Sequence, residues 1–387
     1  MKVAVVGAGF WARFQVRAWR QLEREGLAQL VAICDQNREA AERFVELLKG
    51  PAIPVFTDTE QLLQQVQDLG VVDVLTTATT HHAITMQILA HGIPVIVQKP
   101  MAQTLRQAIA MVKMARQIGV PLLVHENFRW QRPFVTLKQM IAEYRQRLGE
   151  MIDIRLEYES GGEDYLRGQP YLAGQRFLAN AETGVHLVDL LRFLSGRNVL
   201  RIRSAQMHKG VDERYRGEDV VHITLDIQDQ ISAAYRVSFS AARRDERPPQ
   251  TFARINFKTG TIELGADYEV TMILLERNAS GGITKEIMTV HALPDGAEWT
   301  KEDTLSEYQS WLGQWECCLP TNRSCGDVIL GKSGAEAGAT TGEDNLNVLA
   351  TVFGAYLSCE TKFPVEIPQS IEGLEELARR LDDARIG

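Results

Sequence analysis

The chain holds 387 residues, 42 of them Lys or Arg against 50 Asp or Glu, for a formal net charge of −8. At roughly 100–200 residues per domain this length predicts two domains, and 45% hydrophobic with 24% charged residues excludes fibrous, collagen-like and wholly disordered chains. The acidic balance and the lack of Lys/Arg runs argue against a nucleic-acid partner, whose affinity rests largely on neutralised phosphates.

No stretch reaches the roughly 18–20 uninterrupted apolar residues of a membrane span. Met1-Lys2-Val3-Ala4-Val5-Val6-Gly7 runs directly into a strand pattern without a signal-peptide apolar region, so the cytoplasm is the expected compartment. Five cysteines, none spaced Cys-x-x-Cys, are expected to be free thiols.

In chain order, strands are predicted at Lys2 to Val6, Leu30 to Cys34, Val72 to Thr76, Pro94 to Gln98 and Leu122 to His125, with a weaker one near Val55. Apolar residues recur at helical spacing between them, over Ala12 to Arg24, Arg38 to Leu48, Thr59 to Gln67, His81 to Ala90 and Leu105 to Gln117. Near-continuous apolar strands, each followed by a helix, predict an α/β Rossmann-type N-terminal domain, a doubly wound parallel sheet covered on both faces.

After Pro133 the texture changes. A helix over about Phe134 to Arg147 leads to an alternating strand in which Ile152, Ile154, Leu156 and Tyr158 share a face. A helix at Gly184 to Leu194 precedes strands at Leu200 to Met207, Val220 to Ile227, Ile231 to Ser238, Phe252 to Phe257, Thr261 to Leu264, Val270 to Leu275 and Ile283 to Val290. Turns such as Lys258-Thr259-Gly260 favour hairpins, hence an α+β C-terminal domain with a large, mostly antiparallel sheet. Cys317 and Cys318, beside Trp315, are expected to pack in a helix. Gly331 to Gly342 reads as a loop, and helices are expected at Glu343 to Cys359 and Ile371 to Leu381. The predicted domains are residues 1–126, which bind a dinucleotide, and 127–387, which bind substrate and form a homodimer or homotetramer through the sheet.

Gly7-Ala8-Gly9-Phe10-Trp11-Ala12 sits between a strand and a helix, where a G-x-G-x-x-A turn lets backbone amides approach a pyrophosphate. Asp35 ends the second strand, where a carboxylate accepts from a ribose diol and repels a 2′-phosphate; this favours NAD over NADP, although Arg38 leaves NADP open. The alternative for Asp35 is a helix cap. Lys99 closes the fifth strand at the ligand edge of the sheet, where a partly desolvated ammonium suits proton shuttling; a solvated surface lysine is the alternative.

Glu182, His186 and Asp189 stand at i, i+4 and i+7, one face if the segment is helical. A neighbouring carboxylate would tune His186 as a general base; a metal site and a core histidine compete with that reading. His81, near Thr76 at the ligand edge, is a cofactor-side candidate. His125-Glu126-Asn127-Phe128-Arg129-Trp130 enters the second domain and lines a cleft or packs an interdomain joint.

These motifs in this order resemble the glucose-fructose oxidoreductase and inositol dehydrogenase (Gfo/Idh/MocA) family over almost the whole chain. The family's Glu-Lys-Pro is here Gln98-Lys99-Pro100, and its Asp-x-Gly-x-His-x-x-Asp is Glu182-Thr183-Gly184-Val185-His186-Leu187-Val188-Asp189. Its Thr-Pro-Asn-x-x-His is Thr76-Thr77-Ala78-Thr79-Thr80-His81, and Thr341-Gly342-Glu343-Asp344 resembles a motif before its last long helix. The resemblance implies Lys99 and His186 as the residues that handle the substrate proton, with Glu182 orienting His186 or binding substrate. It implies NAD, or NADP, contacts at Gly7, Gly9, Phe10, Trp11, Asp35, Thr76, His81, Gln98 and Lys99. Substrate contacts are implied at Lys99, Asn127, Arg129, Glu182, His186 and Asp189, with no metal.

Gln98 is expected to remove a negative charge beside Lys99 and lower its pKa, and Glu182 to reshape the pocket. The implied activity is hydride transfer between nicotinamide and a secondary alcohol or carbonyl of a sugar, sugar derivative or cyclitol. An idle NAD-binding sensor or scaffold, and an NAD-dependent lyase or glycosidase with transient oxidation, are the rivals.

Overall fold

The front third of the chain is built on strands that read as mostly apolar runs, and the central ones become buried on both faces. The structure, a computed structural model, describes residues 1–48, 50–160, 169–210, 213–239, 250–265, 268–277, 282–292, 313–333 and 338–386. Strands β1 (Lys2–Val6), β2 (Gln29–Cys34), β3 (Val55–Phe56), β4 (Val71–Val74), β5 (Val95–Gln98) and β6 (Leu122–His125) pair in parallel in the order β3-β2-β1-β4-β5-β6. Every residue of β4, β5 and β6 is buried, as parallel strands sandwiched by helices require. The order reverses between β1 and β4, which opens a crevice at the carboxyl ends of the strands.

Helices α1 (Ala12–Arg24), α2 (Arg38–Leu47), α3 (Thr59–Gln65), α4 (Ala78–Ala90) and α5 (Leu105–Ile118) make the crossovers. Asn37, Asp58 and Thr104 cap α2, α3 and α5 by accepting from Ala40, Gln61 and Gln107 N–H. Helix α4 starts one turn before the predicted His81, because Thr77 is the last extended residue before it.

The second half contributes α6 (Arg132–Glu143), α7 (Arg145–Leu148), β7 (Met151–Glu159), α8 (Val185–Ser195), β8 (Val199–Lys209), β9 (Glu218–Ile227), β10 (Ile231–Ser238), β11 (Gln250–Phe257), β12 (Gly260–Leu264), β13 (Glu269–Arg277) and β14 (Ile283–His291). After these come α9 (Gly313–Ile329), β15 (Thr340–Thr341), α10 (Gly342–Thr361), β16 (Val365–Glu366) and α11 (Ile371–Asp383). The second sheet runs β14-β13-β12-β11-β7-β10-β9-β8-β16; β7 and β10 are parallel and the other neighbours antiparallel. Ile154, Leu156 and Tyr158 of β7 face the helices and are buried, whereas Ile152, of the same parity, is half exposed at the strand's start.

Two late segments return to the first sheet. Helix α9, with Cys317 and Cys318 buried in it, packs on α1, and β15 pairs antiparallel with β6 from within the stretch expected to be a loop. Two threonines are too short a run to show strand alternation. No helix among the described residues is long and apolar enough to cross a membrane.

Candidate active site

The β1–α1 turn brings backbone, not side chain, to the crevice. Gly7 has φ +111°, and a Cβ there would meet the Leu75 carbonyl carbon at 2.7 Å, so only glycine fits; a Cβ on Gly9 would stand in open space. Among the described residues no side chain caps α1 at Trp11, while Arg13 N and Phe14 N donate to the Phe10 and Trp11 carbonyls. Asp35 Oδ2 accepts from Ala8 N at 2.8 Å and Oδ1 from Asn37 N at 2.9 Å, while Asn37, not Asp35, caps α2. Asp35 therefore holds the glycine turn, and these features fit a dinucleotide. A cavity of about 580 Å³ runs from Asp35 and the turn past Phe10, Trp11 and Thr76 to Gln98, Lys99, Asn127 and His186.

His81 does not line this cavity. Its ring is buried, with Nδ1 2.9 Å from the Pro100 carbonyl and Nε2 3.0 Å from the Thr76 carbonyl, so it ties together the segments after β4 and β5 from behind. The expected cofactor contact at His81 is replaced by support of Thr76, which does reach the cavity. Burial lowers the His81 pKa.

At the inner end, Lys99 Nζ donates to Glu182 Oε2 and to the Glu182 carbonyl, each at 3.0 Å. Gln98 turns inward: its Nε2 donates to Gln15 Oε1 at 2.7 Å and lies 3.2 Å from His125 Nδ1, and its Oε1 accepts from Lys99 N. The negative neighbour that Gln98 withholds from Lys99 is thus supplied by Glu182. His186 stacks on Phe128, ring centroids 3.9 Å apart and 2° from parallel, and its Nδ1 bonds Glu126 Oε1. The carboxylate that orients His186 is Glu126, which corrects the expectation placed on Glu182.

Burial holds His186 well below the ordinary imidazole value, helped by the Lys99 charge and opposed by Asp189 and Glu182. Burial pushes Glu126 up to about 7, against the pull of Arg129 and Lys99.

Glu182 sits in a π-helical turn, Asn180–Gly184, just before α8, and lines the same cavity as His186. A side chain on Gly184 would collide with Asn180 Oδ1. Asn180 is fixed by Tyr235 OH and the Val352 carbonyl, and Glu218 Oε1 accepts from Leu178 N and Asn180 N, so buried polar groups pin the turn that aims Glu182 at Lys99.

Arg129 and Asp189, expected to contact substrate, do not line the cavity. Arg129 grips Asp189 through two 2.6 Å bonds and reaches Asp344 at 3.2 Å; Arg192 holds Asp344 at 2.5 Å. Arg129, Asp189 and Arg192 are buried and Asp344 is partly exposed, and their charges satisfy one another, bracing the segment after β6 against α8 and α10. Among the described residues, no group of three or more His, Cys, Asp or Glu side chains is placed to hold a metal ion.

Residues 1–126 match the family described as oxidoreductase, NAD-binding Rossmann fold, and residues 134–263 match the GFO/IDH/MocA C-terminal domain. A D-apiose dehydrogenase of Rhizobium rhizogenes is 32% identical over 372 residues, covering 95% of this chain and 97% of that protein. The chain belongs to the Gfo/Idh/MocA oxidoreductase family. This Gfo/Idh/MocA enzyme also resembles an inositol 2-dehydrogenase of an Arthrobacter species, 22% identical over 269 residues, 69% of this chain and 74% of that one. A crystal structure of an Agrobacterium radiobacter oxidoreductase in complex with NAD+, L-tartaric acid and magnesium superposes with a TM-score of 0.81 at 29% identity, covering 95% of this chain and 98% of that one. As a Gfo/Idh/MocA member the protein is an NAD-dependent oxidoreductase with the two-sheet architecture anticipated from its sequence.

Sequence reading missed Glu126 and Phe128 as partners of His186. It also missed Tyr158, Gln169, Tyr171 and Gln175, which line the cavity from the second half. Glu126 carries a usable signal, a carboxylate one residue past a buried strand at the ligand edge; Gln169 and Tyr171 carry none.

Proposed function

We propose that the enzyme oxidises a CH–OH group of a small sugar, sugar derivative or cyclitol, or reduces the corresponding carbonyl, with D-apiose the first substrate to test. The observation that supports this is the convergence of Lys99 and His186 at one end of a crevice whose other end is the glycine turn and Asp35. NAD, when bound, supplies the hydride acceptor at its nicotinamide. Lys99 Nζ orients the substrate hydroxyl and lowers the cost of its ionisation, Glu182 steadies Lys99, and His186 Nε2 takes the proton. Asp35 supports NAD over NADP, because Arg38, the side chain suited to a 2′-phosphate, is exposed and faces Glu42 at 3.4 Å.

The test is absorbance at 340 nm with purified enzyme, NAD or NADP, and a panel of sugars, sugar acids and inositols that includes D-apiose. NADH formation with a small sugar, faster with NAD than with NADP, is expected. Tight NAD binding without turnover across the panel would overturn the reading in favour of an idle sensor, and product without net NADH would point to a lyase or glycosidase.

The second sheet also supports self-association. On its outer face Ile273 pairs with Ile287, and Ile287 and Leu275 are 58% and 45% exposed, so we propose a homodimer or homotetramer through this face. Light scattering on the eluted protein checks it. Five free cysteines fit a reducing compartment, and we place the enzyme in the cytoplasm.

A further inference from the structure

Glu126 is buried, 1% exposed, immediately after β6. Its Oε1 meets His186 Nδ1 and takes a long 3.5 Å contact from Phe128 N. Its Oε2 is buried with no hydrogen-bond partner among the described residues. An ionised carboxylate has about four acceptor sites to satisfy, and a buried one normally collects donors at both oxygens. Leaving one oxygen bare makes the protonated acid competitive.

The ring opposite is equally committed. One face is covered by Phe128 and the Nδ1 edge by Glu126, so the Nε2 edge is what His186 offers to the cavity it lines. The charged groups around the pair are Lys99 and Arg129 toward Glu126, and Lys99, Asp189, Glu182 and His125 toward His186. Lys99 opposes a positive ring, and burial moves both partners toward their neutral forms.

Resting on the assignment of His186 as base, we propose that Glu126 and His186 act as one proton-sharing pair, with Glu126 the positioning residue. As the sugar hydroxyl gives its proton to His186 Nε2, the proton on Nδ1 passes to Glu126 Oε1. The pair thus ends as a neutral ring beside a neutral acid instead of a buried imidazolium. The substrate loses a hydride, with the C–H electron pair, to the oxidised nicotinamide; the O–H pair becomes the second C=O bond. The net charge of the Glu126–His186 pair rises from −1 to 0, and carbonyl reduction returns the same proton.

The test is nuclear magnetic resonance of 15N-histidine-labelled enzyme with NAD, without sugar, from pH 5.5 to 9, His186 being identified by loss of its signals in His186→Gln. The wild type should show His186 sharing one titration near neutral pH, absent in Glu126→Gln and retained in Glu126→Asp. With the panel sugar turned over fastest, Glu126→Gln should lower kcat roughly 100-fold or more and lose the rise in rate with pH. NAD affinity should stay within about twofold, and Tm should not fall, since the substitution removes an incompletely paired buried carboxyl.

A purely structural Glu126 would instead lower Tm and leave the titration and pH profile unchanged, which would overturn the proposal. If His186→Gln keeps wild-type turnover, the assignment of the base fails. If His186→Gln is inactive while Glu126→Gln retains the wild-type rate and profile, only the shared pair fails.

Discussion

Two ionisable side chains reach the inner end of the crevice, and each arrives with its own carboxylate: Lys99 with Glu182, His186 with Glu126. The pairing separates their tasks. In the proposed reaction Glu182 keeps the Lys99 ammonium at the substrate hydroxyl, whereas burial and the Lys99 charge keep His186 neutral and able to accept a proton. Replacement of Lys99 by Ala should therefore lower kcat/KM for the sugar by roughly 100-fold or more while NAD affinity, measured by calorimetry, changes by less than about threefold. The placement of Lys99 and His186 at the cavity was legible in the sequence because each sits in a short motif at an element boundary. Glu126 was not identified as the partner of His186, because the two lie 60 residues apart and meet only once β6 and α8 are packed. The inward hydrogen bond of Gln98 was not legible: the sequence shows its adjacency to Lys99, whereas its amide donates to Gln15, 83 residues away, only once β5 packs on α1.

At the scale of elements, the site depends on how α8 is held. The Arg129–Asp189 pair, with Asp344 and Arg192, joins the exit of β6 to the site helix and to the start of α10. Arg129→Met should cost about 3–5 kcal/mol, because Asp189 is left buried and unpaired; denaturant unfolding of the variant measures it. Unchanged stability would show that the brace carries no load. Most strands and helices were legible, since apolar runs and helical spacing are local signals; β1, β6, β10 and α1 fall where the pattern put them. The π turn before α8 was hidden because Asn180–Gly184 carries no periodicity of its own and is held by distant Glu218, Tyr235 and Val352. Strand β15 was hidden because its pairing with β6 is fixed by contacts more than two hundred residues away in sequence.

Across the whole molecule, buried carboxyls set an unusual pH dependence. Asp73, in the centre of the first sheet, accepts from Gln15 and Trp19, yet burial pushes it up to about 7; Glu126 stands at about 7 and Asp189 at about 6 for the same reason. Each binds its proton more tightly folded than unfolded, so stability is fully present below the unfolded values and is lost as pH rises through about 6–7. Asp344 has the opposite sign: Arg192 and Arg129 hold it below the usual carboxylate range, and its contribution is lost in stronger acid. Tm should therefore be higher at pH 5 than at pH 8, followed by scanning calorimetry; a Tm that climbs steadily from pH 5 to 8 would contradict these assignments.

The central claim is that both halves of the chain close on one reacting hydroxyl. A crystal structure of the enzyme with NAD and the sugar it turns over tests this most directly. The hydroxyl oxygen should lie within hydrogen-bond distance of both Lys99 Nζ and His186 Nε2, with the dinucleotide along the glycine turn and Asp35. A sugar bound out of reach of both side chains would contradict it.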